Sequence, residues 1–421
     1  MHQSTGRIPL KQFRMESPEY SVASSAQAAV VPMEKPLKLE RRGRGLTVGV
    51  PRELINEERR VALSPSGVSS LAACGHDVII EKGAGKLAHF PDGLYTNEGA
   101  EIADSAADIY GRCDLIVKVA PPSGDELNML REKQILISAL HLGNATKEFF
   151  GRMMELSVTG IGFEFIKTGD GTYPIVRMMH EIMGSMSIQI AARYLESAEG
   201  GAGLVLGGIS GVPPAHVLIL GAGVVGEWAA RTALGFGARV TVLDSDLASL
   251  RALEHYVDRR ITTAMANEQY IRRFVGSADV IIGAMVHGGS RSPVLVTEEM
   301  VASMRPGSVI VDAVIDQGGC IETSRPTSHS QPVFTEHGVI HYCVPNMPSN
   351  AARTATDALT NVLVPFLLEI GDCDTVNEAL WRNEGLRNGT YVYRRHLTKK
   401  SLASLFGMPH RDIELLIASG I

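Results

Sequence analysis

Aromatic side chains are scarce in this chain: 23 of 421 residues, with only two tryptophans. That poverty, set against 43 glycines, suits an α/β protein with tight βα turns better than a β-sandwich. No run of about 18 uninterrupted apolar residues is present, so no helical membrane span is expected. There is no excess of basic charge: 40 Lys and Arg face 46 Asp and Glu, for a formal net charge of −6. Nucleic acid and anionic membrane therefore start as unsuited partners. The five cysteines, Cys74, Cys113, Cys320, Cys343 and Cys373, form no C-x-x-C pair and no Cys/His metal spacing. An odd count without a signal peptide reads as reduced thiols of a cytoplasmic protein, and no metal is expected.

What is present is ordinary globular composition, 45% hydrophobic and 20% charged. The length suits two or three domains. Residues 1–45 stand apart, with eight Lys or Arg, four Glu and no helical or strand period. They read as a disordered N-terminal tail; the apolar core of a targeting segment is missing.

Order is expected to begin at Leu46. Short apolar runs at 46–51, 77–81, 114–119, 134–139 and within 158–166 read as strands. Helical segments at 67–74 and 105–111 fall between them. A longer helix is expected over 178–197, then a Gly-rich junction at 200–211. A second series follows, with strands at 216–220, 239–243, 278–282 and 308–311 and helices at 227–235 and 359–370. Strands alternating with helices argue for parallel sheets. The expected architecture is α/β: two doubly wound domains with a cleft between them, one of them discontinuous. The division predicted is 46–180 plus 352–421 for the substrate domain and 181–351 for the nucleotide domain.

The strongest local motif is HVLILGAGVVGEWAA. A strand ends at Leu220; Gly221, Gly223 and Gly226 follow in G-x-G-x-x-G spacing; a helix comes next. The first glycine permits the tight turn. The second lets backbone approach a pyrophosphate. The third lets helix and strand pack closely. The next strand ends in Asp244, 23 residues after Gly221, where a carboxylate can hold ribose hydroxyls. A carboxylate there, followed by Ser245 and Asp246 rather than Arg, points to NAD rather than NADP.

Several blocks together resemble the alanine dehydrogenase family, which is related to the soluble α-part of the nicotinamide nucleotide transhydrogenases. They are VGVPRE with NEERRVALSP, KVAPP, LHLGNAT, GGISGVPPAHVLILGAGVVG, MRPGSVIVDAVIDQGGCIETSRPT and YCVPNMPS. The IDQGG block is characteristic of alanine dehydrogenases, and the transhydrogenase part differs there. The resemblance runs from Leu46 to about Gly371. It implies two Rossmann-like domains, a cleft active site, NAD, a small amino acid or 2-oxo acid substrate and a homo-oligomer, commonly a hexamer. By the same resemblance Arg60 grips the substrate carboxylate, and His141 and Asp316 are the catalytic acid–base groups. Met285, Val286 and Asn346 stand beside the nicotinamide. Arg59 matches a variable position and reads as a solvated charge, and Asp312 as structural.

The chain departs from the family in two places. Where the family has K-x-K-E-P, this chain has Lys118-Val119-Ala120-Pro121-Pro122. Ala120 replaces the substrate-binding lysine; Lys118, on the same strand face, is the nearest substitute. In the run RMMHEIMG, His180 stands where the family has Ser, Met178 and its neighbours where it has a small residue and Pro, and Arg177 is an extra cation. Losing one charge-assisted hydrogen bond costs about 1.5–3 kcal/mol. The primary expectation is oxidation of L-alanine to pyruvate and ammonium. The alternatives are a same-fold enzyme for another amino or imino acid, and a non-catalytic NAD-binding relative. Retention of both His141 and Asp316 argues against the last.

Overall fold

Most of the βα units begin with a short apolar strand buried on both faces. The computed structural model describes residues 45–55, 57–140, 145–257, 260–286 and 292–419. The tail expectation for 1–45, Gly45 aside, and the assignment of His141 both lie outside the described residues.

The first sheet takes its parallel core from β1 (Thr47–Val50), β2 (Asp77–Glu81), β3 (Glu101–Ala103), β4 (Leu115–Val117), β5 (Ile135–Ser138) and β6 (Thr159–Gly162). The second is built from β7 (His216–Leu220), β8 (Arg239–Asp244), β9 (Thr262–Met265), β10 (Val280–Gly283), β11 (Val309–Asp312), β12 (Val333–Glu336) and β13 (Val339–Tyr342). The chain then returns to the first sheet with β14 (Thr390–Tyr393) and β15 (His396–Leu397). The orders are β15-β14-β6-β5-β4-β1-β2-β3 and β12-β13-β11-β10-β7-β8-β9. Each contains the six-strand parallel order of a Rossmann fold, with the switch point at β1/β4 and β7/β10. The sheets are not purely parallel: β12 runs antiparallel to β13, and β14 antiparallel to both β6 and β15.

Alternate residues of one strand enter different cores, which makes these strands continuously apolar. Val78 and Ile80 pack on one face and Ile79 on the other. Two long helices link the sheets. The first connecting helix, Pro174–Tyr194, starts four residues before the expected Met178. Pro174 opens it, at a position where a missing N–H costs nothing. Its Ile175 and Met179 pack on the first core, and Met186, Ile188 and Ala191 on the second. The second connecting helix, Ala352–Asp372, begins seven residues before the expected Leu359. Its apolar stripe of Leu359, Leu363, Phe366, Leu367 and Ile370 joins the first core. The turn before that stripe is Ala- and Thr-rich, so periodicity did not show it.

Close approach fixes the first connecting helix. A Cβ on Gly184 would lie 2.4 Å from the Val225 carbonyl oxygen and 2.8 Å from Trp228 Cβ, both on helix Val224–Gly235. Gly184→Ala is therefore expected to destabilise the protein by about 1–3 kcal/mol, read as a lowered urea midpoint. Gly151→Ala, in the middle of helix Lys147–Glu155 with nothing within 4 Å of the added carbon, is expected to stabilise the protein by about 0.5–1 kcal/mol, read as a raised urea midpoint.

Candidate active site

The glycine turn sits where β7 feeds helix Val224–Gly235. Gly221 adopts φ +115°, and a Cβ there would lie 2.6 Å from the Ala284 carbonyl oxygen at the end of β10. A Cβ on Gly226 would lie 1.9 Å from the Gly221 carbonyl oxygen. Gly223 differs: space around its Cβ position is open, and it caps the helix in extended conformation. Asp244 ends β8 and braces the turn. Its carboxylate accepts the Ala222 amide at 2.6 Å and the Asp246 amide at 2.8 Å. A tight turn, an open middle glycine over a helix N-terminus and a carboxylate on the adjacent strand fit a dinucleotide. Met285, buried, and Val286, exposed, follow β10 beside this turn.

On the first sheet the loop after β1 carries Glu58 and Arg60, both nearly buried. Arg60 donates from Nε to Glu58 Oε1 at 2.8 Å and from Nη2 to Glu58 Oε2 at 2.6 Å. Nη2 also reaches Asn346 Oδ1 at 2.8 Å, and Asn346 Nδ2 donates to Glu58 Oε2 at 2.9 Å. Asn346 follows β13 and has φ +53°, a left-handed conformation that Asn tolerates well. Burial opposes ionisation of Glu58, but the Arg60 contacts outweigh it and hold the carboxyl below its usual range. Among the described residues, Nη1 of Arg60 has no oxygen partner; it meets Met179 Sδ at 3.3 Å. Nearby, Glu57 accepts the His329 and Ser330 amides, and Arg59 Nη1 donates to Asn350. Arg59 is thus tied across the clasp rather than free in solvent.

A cleft of about 720 Å³ opens beside this network. Arg60, Asp316 and Asn346 line it together, from the loops after β1, β11 and β13. Three of the expected residues, remote in sequence, are therefore neighbours. The remaining walls are largely apolar, with Val119, Ala139, Phe163, Ile175 and Met183. Asp316 lies on a short 3₁₀ turn, and the surrounding walls push its carboxyl above the ordinary value of 3.8. Asp312, wholly buried, accepts the Val314 and Cys320 amides and holds that loop in shape. Glu164 accepts the Leu140 amide and braces the end of β5.

Lys118 does not reach the cleft. Its ammonium is buried, donating to Glu126 at 2.7 Å and to the Arg52 carbonyl at 3.1 Å, with Glu53 at 3.6 Å. The substitute role expected for it is corrected by this burial: its charge is spent inside the first domain. Glu53 accepts the Val119 and Ala120 amides. Burial pushes its carboxyl up to about 7, against the pull of Lys118. Arg177, half exposed, pairs with Glu181 at 3.0 Å and does not line the cleft. His180 does. Sequence reading missed Glu58, Glu164 and His329. The E-x-R spacing of Glu58 and Arg60 was the available sign of the first; the other two carry no local signature.

These features define a two-domain dehydrogenase with a nucleotide-binding fold. The family profile "Alanine dehydrogenase/PNT, N-terminal domain" matches residues 49–183, and its C-terminal counterpart matches 187–400. The chain belongs to this family. It is 41% identical over 370 residues to the alanine dehydrogenase of Methanococcus maripaludis, covering 88% of this chain and 99% of that one. It is 40% identical over 372 residues to that of Halomonas elongata, covering 88% and 100%. A solved L-alanine dehydrogenase superposes with TM-score 0.82 at 40% identity, covering 86% of this chain and 99% of that one. A transhydrogenase from Sinorhizobium meliloti gives TM-score 0.71 at 26% identity, with 84% and 99% covered.

Lys118→Met is expected to cost about 3–5 kcal/mol in urea unfolding, because Glu126 and Glu53 stay buried without their cation. Asp316→Asn acts in the opposite direction. Folded Asp316 keeps its proton to higher pH than the unfolded chain does, so its ionisation penalises folding as pH rises from 3.8 through the folded value. The asparagine variant is expected to melt no lower than the parent at neutral pH, and its advantage is expected to vanish in acid.

Proposed function

We propose that this protein is an NAD-dependent amino acid dehydrogenase that converts L-alanine, water and NAD⁺ to pyruvate, ammonium and NADH. The observation that carries the reading is the convergence of Arg60, Asp316 and Asn346 on one cleft at the strand ends of two Rossmann-like sheets. Gly221, Gly223, Gly226 and Asp244 are the residues that would hold the dinucleotide, with Met285, Val286 and Asn346 toward its nicotinamide. Asp244 followed by Asp246 disfavours a 2′-phosphate and selects NAD over NADP. Bound NAD⁺ supplies the acceptor for the hydride leaving the substrate Cα.

The residues then do the following. Glu58 occupies the Nε–Nη2 fork of Arg60, so the substrate carboxylate binds the remaining Nη1 donors and displaces Met179 Sδ. Asn346 holds the guanidinium in place. Asp316, whose burial makes its carboxylate form a stronger base, takes the proton that the ammonium group sheds so that the nitrogen lone pair can form the iminium as hydride leaves Cα. His141 activates the water that adds to that carbon, and ammonium departs. The apolar walls keep other water from the reacting atoms. The proposed organisation remains 46–180 plus 352–421 and 181–351. The enzyme acts in the cytoplasm as a homo-oligomer, a hexamer by its kinship.

One observation favours a second substrate class. Ala120 replaces the lysine, Lys118 is locked elsewhere and Glu58 neutralises Arg60, so the grip on a bare carboxylate is weak. Another amino acid could make up that loss with further contacts.

Steady-state formation of NADH checks the main reading. Wild type is expected to reduce NAD⁺ with an amino acid, at least tenfold faster than NADP⁺ at equal concentration. Asp316→Asn is expected to lose 10²-fold or more in kcat, on the scale of acid–base groups, about 10²–10⁴. Absence of NADH with every amino acid tried would defeat the assignment.

A further inference from the structure

The helix that opens at Pro174 carries His180 into the cleft that holds Arg60, Asp316 and Asn346. One turn further on, the close packing of Gly184 against helix Val224–Gly235 fixes that helix in place. Met179, the residue before His180, rests its sulfur 3.3 Å from Nη1 of Arg60. The imidazole therefore stands next in the chain to the residue that covers the guanidinium edge facing the cleft. Neither ring nitrogen of His180 is sealed from solvent, and neither has a hydrogen-bond partner among the described residues. Burial pushes its pKa below the usual histidine range, so the ring is neutral near pH 7 and offers one donor and one acceptor.

A carboxylate entering this cleft meets few other free donors. Glu58 occupies the Nε–Nη2 fork of Arg60, which leaves Nη1. The Asn346 amide is tied at both ends to Glu58 and Arg60, and the Thr327 hydroxyl donates to the Pro332 carbonyl. His329 keeps both ring nitrogens out of solvent, beside the Asn346 backbone. Lys118 is enclosed by Glu126 and Glu53, and Ala120 ends in a methyl group. Arg177, on the same helix as His180, is paired with Glu181, and neither lines the cleft. Glu57, Glu164 and Asp316 complete the ionisable groups on these walls, and carboxylates only accept. That leaves Nη1 of Arg60 and the unpartnered ring of His180 as the side-chain donors open to an anion.

We propose that His180 is a substrate-binding residue, holding one oxygen of the alanine carboxylate while Nη1 of Arg60 holds the other. The assignment rests on the dehydrogenase reading above and deepens it: the imidazole supplies the second donor that Ala120 cannot. Both donors act on the carboxylate, so the arrangement asks nothing of the amino acid side chain and suits a substrate as small as alanine. An imidazole beside a bound carboxylate also keeps a proton more tightly, so the grip strengthens as pH falls.

The test is steady-state kinetics of the full-length enzyme with NAD⁺ and L-alanine, alongside NADH binding followed by its fluorescence. His180→Leu is expected to raise KM for alanine about tenfold or more, the worth of one hydrogen bond to a charged group. Its kcat is expected to stay within about threefold, the pattern of a lost ground-state contact, and its NADH affinity to stay unmoved. His180→Gln, which keeps a donor, is expected to lose less. Propionate, a carboxylate with no amine to titrate, is expected to inhibit wild type more tightly as pH falls from about 8 to about 6, and His180→Gln less steeply. An unchanged KM in both variants would overturn the proposal. So would weaker NADH binding with KM unmoved, which gives the ring to the dinucleotide, or a loss confined to kcat, which gives it to proton transfer. Should His180→Leu fail to fold, His180→Gln carries the same comparison, and propionate inhibition of wild type that is flat with pH sinks the proposal by itself. An enzyme that binds NADH and oxidises alanine with a KM indifferent to residue 180 refutes only this assignment; one that forms NADH from no amino acid refutes the dehydrogenase reading beneath it, and the assignment with it.

Discussion

Glu58 and Arg60 form a nearly solvent-free ion pair at the strand ends of the first sheet, and Asn346 closes it from the second. Removing either charge would leave the other buried, at a cost of about 3–5 kcal/mol. The pair therefore does two things together. It clasps the β1 loop to the segment after β13, and it presents one face of a guanidinium to the cleft. The contacts of Glu57 with the His329 and Ser330 amides, and of Arg59 with Ser349 and Asn350, extend the clasp. Strength and weakness have the same origin here: the carboxylate that orders Arg60 also cancels most of its charge.

The rest of the scaffold serves to bring strand ends to this place. The glycine turn is shaped by approach distances that leave no room for a side chain at Gly221 or Gly226. Gly184 then lets the first connecting helix lie directly against helix Val224–Gly235. That helix carries Met179 and His180 into the cleft at one end and packs on the second core at the other. Asp312 does for the Asp316 loop what Asp244 does for the glycine turn: a carboxylate accepting backbone amides fixes a loop at a strand end.

Much of this was legible from residue order. The strands β1, β2, β4, β5, β6, β7, β8, β10 and β11 appear as apolar runs because both their faces are buried. The strands that escaped notice are β3, β9, β12 to β15. The first two are short, β9 is not fully buried, and the hairpins depend on pairing with distant or antiparallel neighbours. Family resemblance pointed to Arg60, Asp316 and Asn346, which converge, and to Lys118 as a substitute cation, which does not. Strand periodicity put Lys118 on a plausible face but could not say that Glu126, Glu53 and the Arg52 carbonyl would enclose its ammonium.

The order of residues by itself determined the alternation of strand and helix, the dinucleotide turn and its partner carboxylate, because these are encoded within a few dozen neighbouring positions by steric and periodic rules. Only the tertiary structure decided which charges remain available to a ligand. Glu58 cancels Arg60, and Glu126 holds Lys118. Electrostatic partnership falls off over a few ångströms, and those distances exist only after remote segments have packed.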